Sequence, residues 1–236
     1  MMVLGVDTTT YHGSIALHDE EDGPLASVSL YSTESYSRRL LPAVRWLLDQ
    51  LVLQPADLMG LAVACGPGSF TGVRIGISMV QGIALSAGLP AVAVPTLEAS
   101  ALRAGVPLGL ICPLLEAGRG EFYGALYETD GQGRRASTVL EPAVLRPEPL
   151  LRRVAEAAAG REVWFAGDPP LALPGGEEAL DGINGRPSGA DRFIAPQVAR
   201  LGLEDLVSGT QDGDPARLAA VYVRPSDAEL TSGGGR

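Results

Sequence analysis

Histidine and cysteine are nearly absent from this chain: two of each among 236 residues. That scarcity removes whole classes of chemistry. His12 and His18 stand six positions apart on an expected strand, which places them on one face and roughly 20 Å from each other. Ligand bonds of about 2 Å cannot bring both to one ion, and neither has a second ligand at metal-binding spacing. No zinc or iron centre is expected, and both histidines read as exposed strand ends. Ser-His-Asp or Cys-His catalysis would have to take its base from the same two residues. No G-x-S-x-G elbow is present; Gly66-Pro67-Gly68-Ser69 resembles one only faintly. Cys65 and Cys112 lie in the apolar runs LAVAC and LGLICPLL and read as small buried hydrophobes. A disulfide framework needs more cysteines than these.

Basic charge is also scarce. Eighteen basic side chains against 28 acidic ones give a formal charge of −10, whereas a protein that neutralises phosphates needs a net basic face. Nucleic acid would be met through a partner, or through a small patch such as Arg38, Arg39 and Arg45, which reads as a solvated helix face. The N-terminal MMVLGVDTTT lacks the basic region of a signal peptide. No apolar run reaches the roughly 20 unbroken residues of a membrane span. The uncharged stretch Ile75–Leu97 is cut by Gly88-Leu89-Pro90 and carries Ser78, Gln81 and Ser86. It reads as a buried helix, a turn and a buried strand, and the protein is expected in the cytoplasm. No repeat of 20–50 residues is visible.

What is present is an α/β pattern. MVLGV, HGSIALH and LASVSLYS read as three strands of a meander. A helix follows over Arg38–Leu53. Leu40, Leu41, Val44, Leu47, Leu48 and Leu51 form one stripe of 3.6-residue period, while Trp46 and Leu53 lie off it and need a cover of their own. MGLAVAC is a buried strand, GPGSFTGVRIG opens a second helix to Ala87, and LPAVAV and a short helix at Thr96–Ala104 close a first lobe, 1–104. Gly105–Pro107 reads as a hinge. A second lobe, 105–230, begins with LGLICPLLE, EFYGALYE and STVLEPAVL; a helix over Pro149–Ala159 and the strand EVWFAG follow. Residues 168–190 read as a Pro- and Gly-rich mobile loop, and 231–236 as a disordered tail.

Two segments could carry chemistry. Asp7-Thr8-Thr9-Thr10 joins two strands; its carboxylate and hydroxyls could hold a hydrated magnesium ion and a phosphate, or Asp7 could simply cap its own turn. Gly66–Gly72 precedes a helix N-terminus, which favours anions, or lets strand and helix pack closely. The second helix is apolar almost all round, so it is expected to be buried on all sides. Gly72 and Gly76, spaced i, i+4, are expected to mark a face that another helix approaches.

GPGSFTGVRIG at 66–76, with VLGVDTT at 3–9, S-x-x-LLP at 37–42, GRGEFYGALY at 118–127 and YVRPSDAEL at 222–230, resembles the TsaB (YeaZ) family over nearly the whole chain. The resemblance implies a two-lobed actin/Hsp70-like fold of the ASKHA, ribonuclease H-like type. It also implies a non-catalytic partner subunit. That subunit pairs with the catalytic paralogue TsaD, is joined by the ATPase TsaE, and reaches tRNA only through the complex. The complex transfers threonylcarbamoyl to the adenosine beside the anticodon in tRNAs reading A-starting codons. TsaD holds a metal through a histidine pair, which this chain lacks at Thr96–Ala104. Asp7, Thr8 and Thr9 match the phosphate loop of actin-like ATPases as a vestige. No cofactor is expected to bind tightly, and ATP or ADP, where bound, is expected at the junction with the partner. Where the family usually has His-Ser-Glu before LLP, this chain has Tyr36-Ser37-Arg38. Leu40, Leu41, Val44, Trp46, Phe70, Ile75, Met79 and Ile83 are the expected partner-facing residues, and alone at high concentration the same patch is expected to self-pair as a homodimer. The competing readings are an independent actin-fold kinase or ATPase, resting on Asp7–Thr10, and a protease, for which the residues are missing.

Overall fold

Met2–Asp7 (β1) and His12–Asp19 (β2) are buried over most of their length without alternation, the pattern of strands covered on both faces. With Gly23–Tyr31 (β3), an edge strand that alternates, they form an antiparallel meander. Gly60–Ala64 (β4) pairs parallel to β1, and Ala91–Val94 (β5) parallel to β4, giving the order β3-β2-β1-β4-β5. A second sheet repeats this plan. Leu108–Gly118 (β6), Glu121–Asp130 (β7) and Ser137–Leu145 (β8) form its meander, and Val163–Gly167 (β9) and Gly185–Pro187 (β10) extend it in parallel. Its order, β8-β7-β6-β9-β10, matches the first sheet strand for strand. The fold is the expected two-lobed α/β one. The computed structural model describes residues 1–31, 36–106, 108–130, 135–167, 178–188 and 192–223.

Alternation along β1 sends Leu4 and Val6 to one face and Val3 to the other. Leu40–Gln50 (α1) and Phe70–Ala87 (α2) cover the first face. Leu40, Val44, Leu47 and Leu48 pack there with Val73, Ile77 and Val80. Ala195–Ser208 (α6) covers the second face so closely that a Cβ on Gly5 would lie 2.4 Å from the Ala199 nitrogen. Thr96–Arg103 (α3) serves both sheets: Ala99 joins the α6 cluster, while Leu97 and Ala101 pack with Ile111, Leu115 and Tyr127. Pro147–Ala158 (α4) covers the far side of the second sheet through Leu150, Leu151 and Val154, and the short Glu178–Asp181 (α5) precedes β10.

The structure revises several expectations. The second lobe is not continuous over 105–230. The chain returns to the first sheet at α6 and is still there at Val221: Ala91 N–H donates to the Gly213 carbonyl (2.9 Å) and Val221 N–H to that of Cys65 (2.8 Å). The first long helix is shorter than Arg38–Leu53, because Tyr36–Arg38 forms a separate 3-10 turn. Part of the expected loop 168–190 is ordered as α5 and β10; 168–177, 189–190 and the tail 231–236 lie outside the described residues, as does Pro107 of the expected hinge. By length and composition α2 would qualify as a membrane span, but only a third of it is buried, and that part lies against the sheet. It is therefore not enclosed on all sides. Phe70, Thr71, Arg74, Ser78, Gly82 and Leu85 form an exposed strip along it.

Candidate functional site

The Asp7 turn closes on itself. Thr9 N–H and its hydroxyl both donate to Asp7 Oδ1, at 2.9 and 2.7 Å. The Thr8 hydroxyl donates to the Gly72 carbonyl (2.7 Å), and Ser69 N–H to the Thr9 carbonyl (2.7 Å). Asp7, Thr8 and Thr9 are all buried, and burial pushes the Asp7 carboxyl up to about 6 against the pull of the two Thr9 bonds. This is the self-capping reading of the turn. The cleft beside it is lined by Thr10, His12, Ser100, Leu115, Arg192 and Ile194 and holds about 20 Å³. Pockets that bury a small molecule run to roughly 300–1,000 Å³. The hydroxyls a phosphate would need are turned inward, so the turn and cleft do not fit a nucleotide.

The glycines of the 66–76 segment serve this packing. A Cβ would lie 2.5 Å from the Thr9 carbonyl at Gly68, 2.0 Å from the Thr8 carbonyl at Gly72 and 2.5 Å from the Thr8 hydroxyl at Gly76. Gly72 and Gly76 therefore admit the β1–β2 turn. They do not mark a helix-approach face, which corrects the expectation drawn from their spacing. Ser69 caps α2 by accepting from Gly72 N–H at 3.2 Å.

The histidines are not exposed strand ends. His12 is half-buried between the rings of Tyr31 and Phe193, and His18 half-buried at the other end of β2, where burial lowers its pKa. Among the described residues, no cluster of three His, Cys, Asp or Glu side chains is placed to hold a metal. Cys65 and Cys112 are buried, and burial pushes the Cys65 thiol up to about 11 and that of Cys112 further. A groove of about 530 Å³ runs along α6 past His18, Arg135, Arg200 and Glu204. Its ions pair with one another: Arg135 with Glu98 (2.9 Å) and Asp205, and Arg200 with Glu204.

The expected partner-facing residues divide into three groups. Leu40 and Val44 are core residues, exposed by 1% and 3%, and cannot meet a partner in the folded chain. Ile75, Met79 and Ile83 are half-buried against the core beneath α1 and α2. Leu41, Trp46 and Phe70 stand exposed, the first two at 54%. Leu85 and Val52, which sequence reasoning missed, are exposed at 65% and 89%. Arg74 and Tyr222 were also missed. The Arg74 guanidinium lies 3.8 Å from the Phe70 ring centroid, its Nε donates to the Tyr222 hydroxyl (3.1 Å), and the two rings are 5.4 Å apart. Only the Arg-aromatic composition of FTGVR and YVR could have hinted at this cluster. Arg38, Arg39 and Arg45 are exposed, with Arg45 4.0 Å from Asp49. Tyr36, where the family pattern has histidine, is buried; its hydroxyl accepts from Gly13 N–H (2.7 Å) and donates to the Thr10 carbonyl (2.9 Å), tying the start of α1 to the first hairpin.

Comparison with known proteins identifies this architecture. The TsaB named as a tRNA threonylcarbamoyladenosine biosynthesis protein in Escherichia coli (strain K12) is 31% identical over 227 residues, covering 92% of this chain and 94% of its own length. The chain belongs to the TsaB (YeaZ) family. A family model described as TsaD, tRNA N6-adenosine threonylcarbamoyltransferase, matches residues 29–168, so TsaB-type and TsaD-type chains share this region. The TsaB of Bacillus subtilis (strain 168) is 41% identical over 128 residues, 54% of this chain and 56% of that one; the matched part thus spans little more than half of that TsaB. The solved YeaZ from Pseudomonas aeruginosa is 30% identical with a TM-score of 0.74, covering 94% of this chain and 99% of its own.

Proposed function

We propose that this chain works in the cytoplasm as the non-catalytic partner subunit of the machinery that puts threonylcarbamoyl on the adenosine beside the anticodon in tRNAs reading A-starting codons. The coarse part of this reading, a place in threonylcarbamoyladenosine synthesis, follows from TsaB membership. The finer part is that α1 and α2 pair with like helices of the catalytic paralogue TsaD, with TsaE joining the pair and tRNA engaged by the assembly. The observation that carries it is the apolar side chains left uncovered: Leu41, Trp46, Phe70 and Leu85 are exposed on two helices whose inner faces are already packed. Such anchors dominate interfaces, often at ~2 kcal/mol or more each. The closed Asp7 turn supports assigning the chemistry elsewhere and weighs against the kinase reading.

The test is calorimetric titration of this chain into the TsaD-type paralogue of the same genome. Tight association that Trp46→Ala weakens by over about tenfold, with an unchanged circular dichroism spectrum, is the expected result. No association, or an unchanged affinity in the variant, would remove the α1–α2 face from the account.

A further inference from the structure

Arg74 sits where a cation is electrostatically out of place. It lies in the second turn of α2, and helical side chains lean toward the N-terminus, so its guanidinium reaches Phe70, the first helical residue. That end of a helix carries positive partial charge and favours anions. The guanidinium is nevertheless held there, stacked on one ring and hydrogen-bonded to the hydroxyl of another. Of its five N–H donors, the one on Nε is spent on the Tyr222 hydroxyl; the Nη pair has no partner among the described residues. A planar fork fixed through its stem and Nε is preorganised for one bidentate anion, and the helix end adds to the pull.

The surroundings indicate which anion. The fork stands beside Phe70 on the exposed strip of α2 that also carries Leu85, on a chain of net charge −10 that does not attract polyphosphate as a whole. A side-chain carboxylate presented by a protein surface fits both features. A second copy of this chain fits poorly: Asp49 is the only acidic residue on α1 and α2, and it already lies 4.0 Å from Arg45. We propose that Arg74 is a preformed carboxylate receptor on the α1–α2 face. The paralogous partner supplies one Asp or Glu to it, and this contact, which self-pairing lacks, makes the partner preferred over a second copy. The inference rests on the pairing proposed above and adds the chemistry that selects the partner.

The experiment titrates the wild type, Arg74→Met, Arg74→Lys and Leu85→Asp into the TsaD-type paralogue at low and high sodium chloride, with self-association followed by sedimentation. Arg74→Met keeps the stem on Phe70 and removes the fork; Arg74→Lys keeps the charge and loses the bidentate geometry. The expected result is about tenfold or greater loss of partner affinity in both. Self-association is expected to be undiminished, and salt to weaken the wild type far more than Arg74→Met. If both Arg74 variants bind within about twofold of wild type while Leu85→Asp abolishes binding, the carboxylate contact is wrong and the pairing stands. If Leu85→Asp also binds like wild type, the face itself is not the interface and both readings fall. If the Arg74 variants keep partner affinity but lose tRNA retention by the assembly, the anion is a phosphate and the proposal is overturned.

Discussion

The Asp7 turn and the outer face of α1 and α2 belong to the same lobe and treat their side chains in opposite ways. In the turn, every polar group of Asp7, Thr8 and Thr9 that forms a described side-chain bond forms it within the protein, and the adjoining cleft holds about 20 Å³. On the helices, Leu41, Trp46, Phe70 and Leu85 are left in water and Arg74 keeps its Nη pair unengaged among the described residues. A cleft between two lobes is a usual place for a ligand. Here the closed cleft acts as a packing joint, and the exposed apolar side chains stand on the helices instead.

Four substitutions sharpen this contrast, and the largest effect is expected beneath the face. Leu40→Ala removes a core side chain that is 1% exposed and should lower unfolding free energy by about 2–5 kcal/mol in chemical denaturation. Gly72→Ala drives a methyl against the Thr8 carbonyl, 2.0 Å from the added carbon, and should cost roughly 1–3 kcal/mol while loosening the joint between turn and helix. Asp7→Asn should act the other way. Burial holds the folded carboxyl near 6, above the ~3.9 of an unfolded chain, so this group favours the folded state most below about pH 4 and does so less as pH rises through 6. An amide oxygen can still accept from Thr9, so the variant should melt higher than wild type at pH 7–8, with the gap closing below about pH 4. His12 and Arg192 line the same cleft and are unchanged in both proteins. Leu41→Ala, one position from Leu40 but exposed, should leave stability within about 0.5 kcal/mol.

That last pair shows how far the sequence could be read. The period of Leu40, Val44, Leu47 and Leu48 located the helix and its inner stripe, because apolar burial on a sheet imposes that period. Leu41 sits at the edge of the stripe, and whether an edge position is covered depends on the neighbouring element, which periodicity does not encode. β1 and β4 were legible as continuous apolar runs, the mark of strands buried on both faces; β2 was legible from its alternation and the start of α2 from the glycine-rich loop before it. The return of α6 to the first sheet was not legible. Gly5 and Gly202 make that contact close enough that a Cβ would fall within 2.4 Å and 2.2 Å of Ala199 and Ala62, but a glycine signals close approach without naming what approaches. Gly72 and Gly76 were misread on the same ground. The Arg74–Phe70–Tyr222 cluster joins residues 148 positions apart, beyond any local pattern.

Reconstitution of threonylcarbamoyl transfer from its adenylate to tRNA tests the proposed partner role most directly. The assay would use the TsaD-type paralogue and TsaE with no added chain, with wild type, or with folded Leu85→Asp. Transfer should require the wild-type chain, be absent with this chain alone, and fall about tenfold or more with Leu85→Asp. Transfer by the isolated chain, or a full rate with the variant, would contradict it.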